Sequence, residues 1–304
     1  MAKCLNFHTA YQCRRSGACC SAGWTIPFDA AELRTVSALR LSGRLRVTSD
    51  TASAAMIHGR CTFLGRDAEG VHACEIHRAG GHAALPLTCR MFPRLILHDP
   101  RGTFISLSHY CPTAAAMLFD AEGSAAIVDA PGPLAGSDPL DGLDARDVWP
   151  PLLRQGVMMD LDSFAFWEQS TVELLTRPGV PPRGAIDAVE RATIRAVSWD
   201  PGSDVTLEDA LRDAFARADP STRRERPFEP AVNRWLAARA FGTWIAYQGN
   251  GLRTIVRYLR ACLDTFEVEL ARDGNPLEAI RRADHTIVHE ASSQQLANLL
   301  NVRP

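Results

Sequence analysis

Seven of the nine cysteines, Cys13, Cys19, Cys20, Cys61, Cys74, Cys89 and Cys111, gather in one stretch of the chain, with Cys4 ahead of them and Cys262 far beyond. A thiolate is the metal-ligating form of cysteine, and a neighbouring cation or metal stabilises it at neutral pH. Thiols concentrated in one region of an intracellular protein point to a metal ion or an iron–sulfur cluster rather than to a disulfide framework. The odd number argues the same way. Tetrahedral zinc takes four Cys or His ligands, and a cubane 4Fe–4S cluster takes four cysteines. Seven exceed one such site, so the spacing leaves two readings: a second metal, or spare thiols.

The adjacent pair Cys19-Cys20 restricts the geometry. Neighbouring side chains of an extended strand point to opposite faces, so both sulfurs reach one ion only if the backbone turns, and Gly17-Ala18 supplies residues for a turn. No Cys-x2-Cys pair of the zinc-ribbon kind occurs. His72, His77 and His82 surround Cys74 as alternative ligands, and Arg90 beside Cys89 is read as a structural ion pair or a group that lowers the thiol pKa. Seven sulfurs without a strong histidine pattern favour iron–sulfur over zinc. Cys4 and Cys262 read as small core residues. A second pair, His285 and His289, shares one helix face at i, i+4 but lacks the His-Glu-x-x-His form of a metalloprotease.

The expected elements divide the chain into a cysteine-rich part, 1–130, and a helical part, 131–304. In the first, Asp29-Ala-Ala-Glu32 is a capping box opening a helix towards Leu41. Pro93-Arg-Leu-Ile-Leu-His and Thr103-Phe-Ile-Ser-Leu-Ser-His, joined by Asp99-Pro-Arg-Gly102, read as a β-hairpin. That hairpin would bring Cys89 and Cys111, which flank it, to one end. The segment Gly80-Gly-His-Ala-Ala-Leu-Pro reads as a mobile loop near the metal. After the Pro- and Gly-rich residues 129–143, apolar periodicity predicts helices over 147–176 (broken near 158–162), 185–198, 207–216, 230–248, 252–272 and 276–300. The fold class expected is predominantly α with a small β-hairpin, the last three helices forming a bundle.

A chain of 304 residues with 46% hydrophobic content can bury a full core without help from a metal. Its formal charge of −2 supplies no field for nucleic acid or an anionic membrane, so neither is an expected partner. The start lacks the apolar run of a signal peptide and no later stretch is apolar for the ~20 residues of a spanning helix, which predicts a cytoplasmic protein. Phosphate-loop, dinucleotide-fold and nucleophile-elbow motifs are absent from the sequence, as is the Cys-x3-Cys-x2-Cys word of radical S-adenosylmethionine enzymes.

The words Tyr11-Gln-Cys-Arg-Arg-Ser-Gly-Ala-Cys-Cys-Ser-Ala-Gly-Trp-Thr-Ile, Cys61-Thr-Phe-Leu, Ala73-Cys-Glu-Ile-His, Leu87-Thr-Cys-Arg-Met-Phe-Pro-Arg and Tyr110-Cys-Pro, in this order, resemble the CxxCxxCC cysteine-cluster family of zinc- or iron-chelating proteins. Within it the chain looks closest to the flagellin lysine-N-methylase group. The resemblance implies that all seven cysteines are metal positions. It also implies a protein lysine N-methyltransferase that uses S-adenosylmethionine on a protein substrate. The chain departs from the family word at Ser16, which stands where a further cysteine is expected, and serine is a poor ligand for zinc or iron. Redox or metal handling without methylation, and a structural zinc module carrying a helical interaction domain, are the alternative functions.

Overall fold

The computed structural model describes residues 2–49, 51–66, 70, 72–135, 141–247 and 251–290. They form two compact units: Gln12–Pro93 with Cys111–Thr113, and Met1–Tyr11 with Arg94–Tyr110 and Ala114–Pro304. Helix at 50% against strand at 16% makes the fold mostly α.

The larger unit is built on the expected hairpin. Strands Arg94–Asp99 and Gly102–Leu107 pair from Arg94↔Leu107 to Asp99↔Gly102. They are the centre of a five-stranded mixed sheet, because Ala2–Leu5 joins parallel to Gly102–Leu107, Ile127–Asp129 antiparallel to Ala2–Leu5, and Leu143–Asp144 parallel to Arg94–Asp99. The added strands have two to four residues, too few for an alternating pattern to stand out in sequence. The hairpin turn is held by charge. Asp99 accepts from the Arg101 backbone and guanidinium, Arg101 Nη1 reaches Glu168 at 3.0 Å, and the guanidinium lies between the Phe104 and Phe164 rings at 4.5 and 4.6 Å. Glu168 also accepts from Gly242 N–H, and Tyr247 donates to Asp99 at 2.6 Å. A buried charge costs several kcal/mol unless it is paired and hydrogen-bonded in this way.

Six helices of this unit follow the sequence pattern with corrected ends. Helix Pro182–Val197, helix Leu207–Ala216 and helix Leu252–Asp273 agree with expectation to within a few residues. The expected helix over 147–176 survives only as Leu161–Leu175, capped by Asp160, which accepts from Ser163 N–H. Its first half is a β-ribbon, Leu152–Arg154 with Val157–Met158. Pro150-Pro151 disfavours a helix, and Gly156 at φ +77° makes the turn. Helix Glu229–Ala240 stops before the expected Gln248, because Gly242 at φ +56° approaches Phe104 so closely that a Cβ would lie 2.8 Å from Phe104 Cβ. Helix Pro276–Asp284 continues as a π-helical turn, His285–Glu290, and the rest of the expected 276–300 helix lies outside the described residues. Trp167 and Trp235 are fully buried in the core these helices share. Among the described residues no helix is long and apolar enough to cross a membrane.

The smaller unit has little regular structure. Helix Ala30–Ala38 carries the predicted capping box: Asp29 accepts from Ala31 and Glu32 N–H while Glu32 accepts from Asp29 N–H. Three two-stranded ribbons and the helical turns Glu75–Gly80 and Leu87–Met91 complete it. The segment expected to be a mobile loop is folded as a 3₁₀ turn, His82–Ala84, between these helical turns. Arg90 holds it, donating to Leu85 O at 2.6 Å and Ala83 O at 3.3 Å.

One glycine tests this packing. Gly251 (φ +89°) precedes the longest helix, and a Cβ there would stand 2.6 Å from Leu153 O, whereas nothing lies within 4 Å of a Cβ on Gly156. Gly251→Ala is expected to cost about 2–3 kcal/mol and Gly156→Ala about 1 kcal/mol, read as shifts in the denaturant midpoint. Equal shifts would show that the close approach carries no weight.

Candidate metal centre

Five cysteines lie in one apolar core. Cys20 and Cys61 are buried there with Ile26, Phe28, Val36, Ala54, Phe63 and Ile76, and Cys19, Cys74 and Cys89 pack against them. The chain brings them from separate elements: Cys19 and Cys20 from a 3₁₀ turn, Cys61 from the end of one ribbon, Cys74 from the residue that opens helix Glu75–Gly80, and Cys89 from Leu87–Met91. The turn needed by the adjacent pair is present. Gly17 at φ +73° turns the chain, Cys20 N–H donates to Gly17 O, and the Cys19 and Cys20 sulfurs stand 3.9 Å apart.

The sulfurs share electrostatics as well as a core. The hydrogen bond with Cys20 holds the Cys19 thiol below its usual range. The same shared proton, then burial, then the charges of Cys19, Cys74 and Cys61 push Cys20 far up. Burial also raises Cys61, Cys74 and Cys89, and Cys89 further feels Cys19, Cys74 and Cys61. At two of them nearby backbone amides oppose burial, that of Phe63 at Cys61 and those of His77 and Ile76 at Cys74. An amide dipole near sulfur favours the thiolate, which is the ligating form. Five neighbouring thiols cannot all ionise on their own. A bound cation removes that penalty, so this donor set suits a thiophilic metal. Among the described residues no group of three or more Cys, His, Asp or Glu side chains converges tightly enough to hold an ion in this conformation. Loading therefore requires the sulfurs to close on the metal.

Cys13 and Cys111 stand differently. Cys13 is exposed, and Cys111 is buried in the same unit just before Pro112. Ser16 accepts from Ala18 N–H through Oγ, and its carbonyl lies 3.2 Å from His72 Nδ1. His77 and His82 face each other edge to face, 6.1 Å between ring centres. Arg90 serves backbone carbonyls, as described above. Cys4 and Cys262 lie in the other unit, where burial pushes them up to about 11 and about 12. His289 Nε2 sits 2.7 Å from Ser108 Oγ and His285 Nδ1 3.2 Å from Glu290, so that pair is engaged separately.

Two positioning residues escape sequence reasoning. Glu32, read only as half of a capping box, uses its other oxygen to accept from Leu87 N–H at 2.6 Å, and so ties the first helix to the turn carrying Cys89. Arg44 donates to Thr62 O at 2.8 Å and pairs with Glu75 at 2.9 Å, linking the residues after Cys61 and Cys74. No local pattern marks either, because each partner is distant in sequence.

Comparison with known proteins adds one positive finding. Residues 12–112, which include all seven cysteines, match the model of the CxxCxxCC family, described as "Putative zinc- or iron-chelating domain". No curated protein and no solved structure matches the chain.

Substitution separates the inner sulfurs from the outer one. Cys61→Ser and Cys74→Ser are expected to abolish metal retention in the anaerobically purified protein, while Cys13→Ser keeps most of it, read by elemental analysis. Glu32→Ala is expected to cost about 1–2 kcal/mol of stability and to weaken metal retention about tenfold, measured by chelator competition. Unchanged retention in Glu32→Ala would remove its positioning role.

Proposed function

We propose that the cysteine-rich unit holds an iron–sulfur cluster or a thiolate-bound metal, with Cys19, Cys20, Cys61, Cys74 and Cys89 as the inner donor set and Cys13 and Cys111 as outer members. The observation that carries this reading is the packing of five thiols from four short elements in one small core. Sulfur-rich ligation favours iron–sulfur chemistry over zinc. When bound, the group supplies either electron exchange or a cross-link between short ribbons and turns. The protein residues supply the sulfurs, the N–H dipoles and the apolar surround that sets solvent access. A compartment that keeps thiols reduced, such as the cytoplasm, suits such a centre.

Methyl transfer from S-adenosylmethionine to a protein lysine is carried by the order of the cysteine words alone. Transfer of label from S-adenosylmethionine to a protein substrate is its test, and absence of donor binding would remove it.

Anaerobic purification is expected to yield a brown protein containing iron and acid-labile sulfide, with visible absorption bleached by dithionite. Stoichiometric zinc without colour would replace the cluster by a zinc site. Protein free of both metals, still folded, would refute the metal centre.

A further inference from the structure

A cavity of about 460 Å³ lies wholly within the larger unit. Its lining draws apolar residues from three places: Leu95 and Leu97 of the hairpin, Phe241 and Trp244 just after helix Glu229–Ala240, and Ile287 and Val288 of the π-helical turn. Arg239 and Tyr258 are among its polar members. Arg239, in the last turn of helix Glu229–Ala240, is only 4% exposed. Its Nη2 donates to Leu107 O at 2.7 Å and its Nη1 stands 3.5 Å from Asp284 Oδ1, yet among the described residues its buried Nε–H has no hydrogen-bond partner. Burial opposes the charge of Asp284, but Arg239, His109 and Trp235 outweigh it and hold that carboxyl well below the usual range. Arg239 and Asp284 are therefore neutral as a pair. Tyr258 lies beside the same guanidinium, and burial pushes its hydroxyl well above the usual tyrosine range, so it keeps its proton.

A buried donor without an acceptor costs about 1–3 kcal/mol, which an oxygen placed against it recovers. Asp284 already balances the guanidinium, so the acceptor that fits is uncharged, and a carboxylate would bring a second anion to a neutral pair. Small-molecule sites are typically apolar clefts of about 300–1,000 Å³ with a few placed polar groups, and π-helical turns occur frequently at functional sites. We propose that this cavity binds a small uncharged molecule with an apolar ring body, whose carbonyl oxygen accepts from Arg239 Nε. The site belongs to the larger unit alone and does not depend on the metal reading.

Equilibrium dialysis of the full chain against 2-acetonaphthone, 2-isopropylnaphthalene and 2-naphthoate tests this, because the three share one ring system and differ in the acceptor. The ketone is expected to bind saturably and more tightly than the carboxylate. Referred to octanol–water partition, it should also bind about tenfold more tightly than the hydrocarbon. Val288→Trp, which fills the cavity from a half-buried position, should abolish ketone binding, and Trp244→Ala, also half-buried, should weaken it. The ligand series on the unaltered protein decides the matter if a variant does not fold. Ketone and hydrocarbon binding alike on the partition scale would overturn the hydrogen bond from Arg239. Tighter binding of naphthoate than of the ketone would overturn the uncharged class. No saturable ketone binding, or ketone binding unchanged in folded Val288→Trp protein, would overturn the site.

Discussion

The desolvation of thiols is the constraint on which the smaller unit depends. The core of this unit is packed from Ile26, Phe28, Phe63, Ile76 and Leu85, and five further positions in or against it are sulfur. Neutral thiols pack there as small hydrophobes, but as soon as one ionises, burial and its neighbours oppose the next. The conflict can be relieved in two ways: protonation, which leaves an ordinary core, or a metal, which neutralises several thiolates together. The backbone amides that oppose burial at Cys61 and Cys74 favour the second, because their dipoles stabilise the thiolate more than the thiol. The same constraint explains why short ribbons and single helical turns suffice as scaffolding. Each needs only to present one or two sulfurs.

The larger unit resolves its buried charge differently. Arg101 meets Asp99 and Glu168 within 3.0 Å and two aromatic faces within 4.6 Å, so its charge is compensated inside the protein. Asp284 is surrounded in the same manner, accepting from Trp235, Ser108 and the backbone of Tyr110. Arg154, Arg253 and Arg257, from a ribbon and a helix of the same unit, line a surface cavity.

Local chemistry made much of the architecture legible. The capping box at Asp29, the hairpin at residues 94–107 and the helix over 207–216 are each specified within a few neighbouring residues, and each stands where the pattern put it. The ribbon at residues 152–158 was hidden because apolar spacing of three to four residues outweighed the Pro150-Pro151 and Gly156 signals. The flanking strands of the sheet were hidden by their length. The folded 82–84 turn was hidden because Arg90 reaches back to hold it, a contact that glycine-rich composition does not reveal.

By itself the sequence determined which residues can ligate, the order of the cysteine words and the mainly helical character of the chain. These are matters of residue type and short-range periodicity. Only the tertiary structure decided that five sulfurs share one core while Cys13 stays exposed, that Glu32 positions the turn of Cys89, and that three arginines from two elements face one cavity. The reason is physical: burial, field and hydrogen bonding depend on distances between residues tens of positions apart, and chain closure sets those distances.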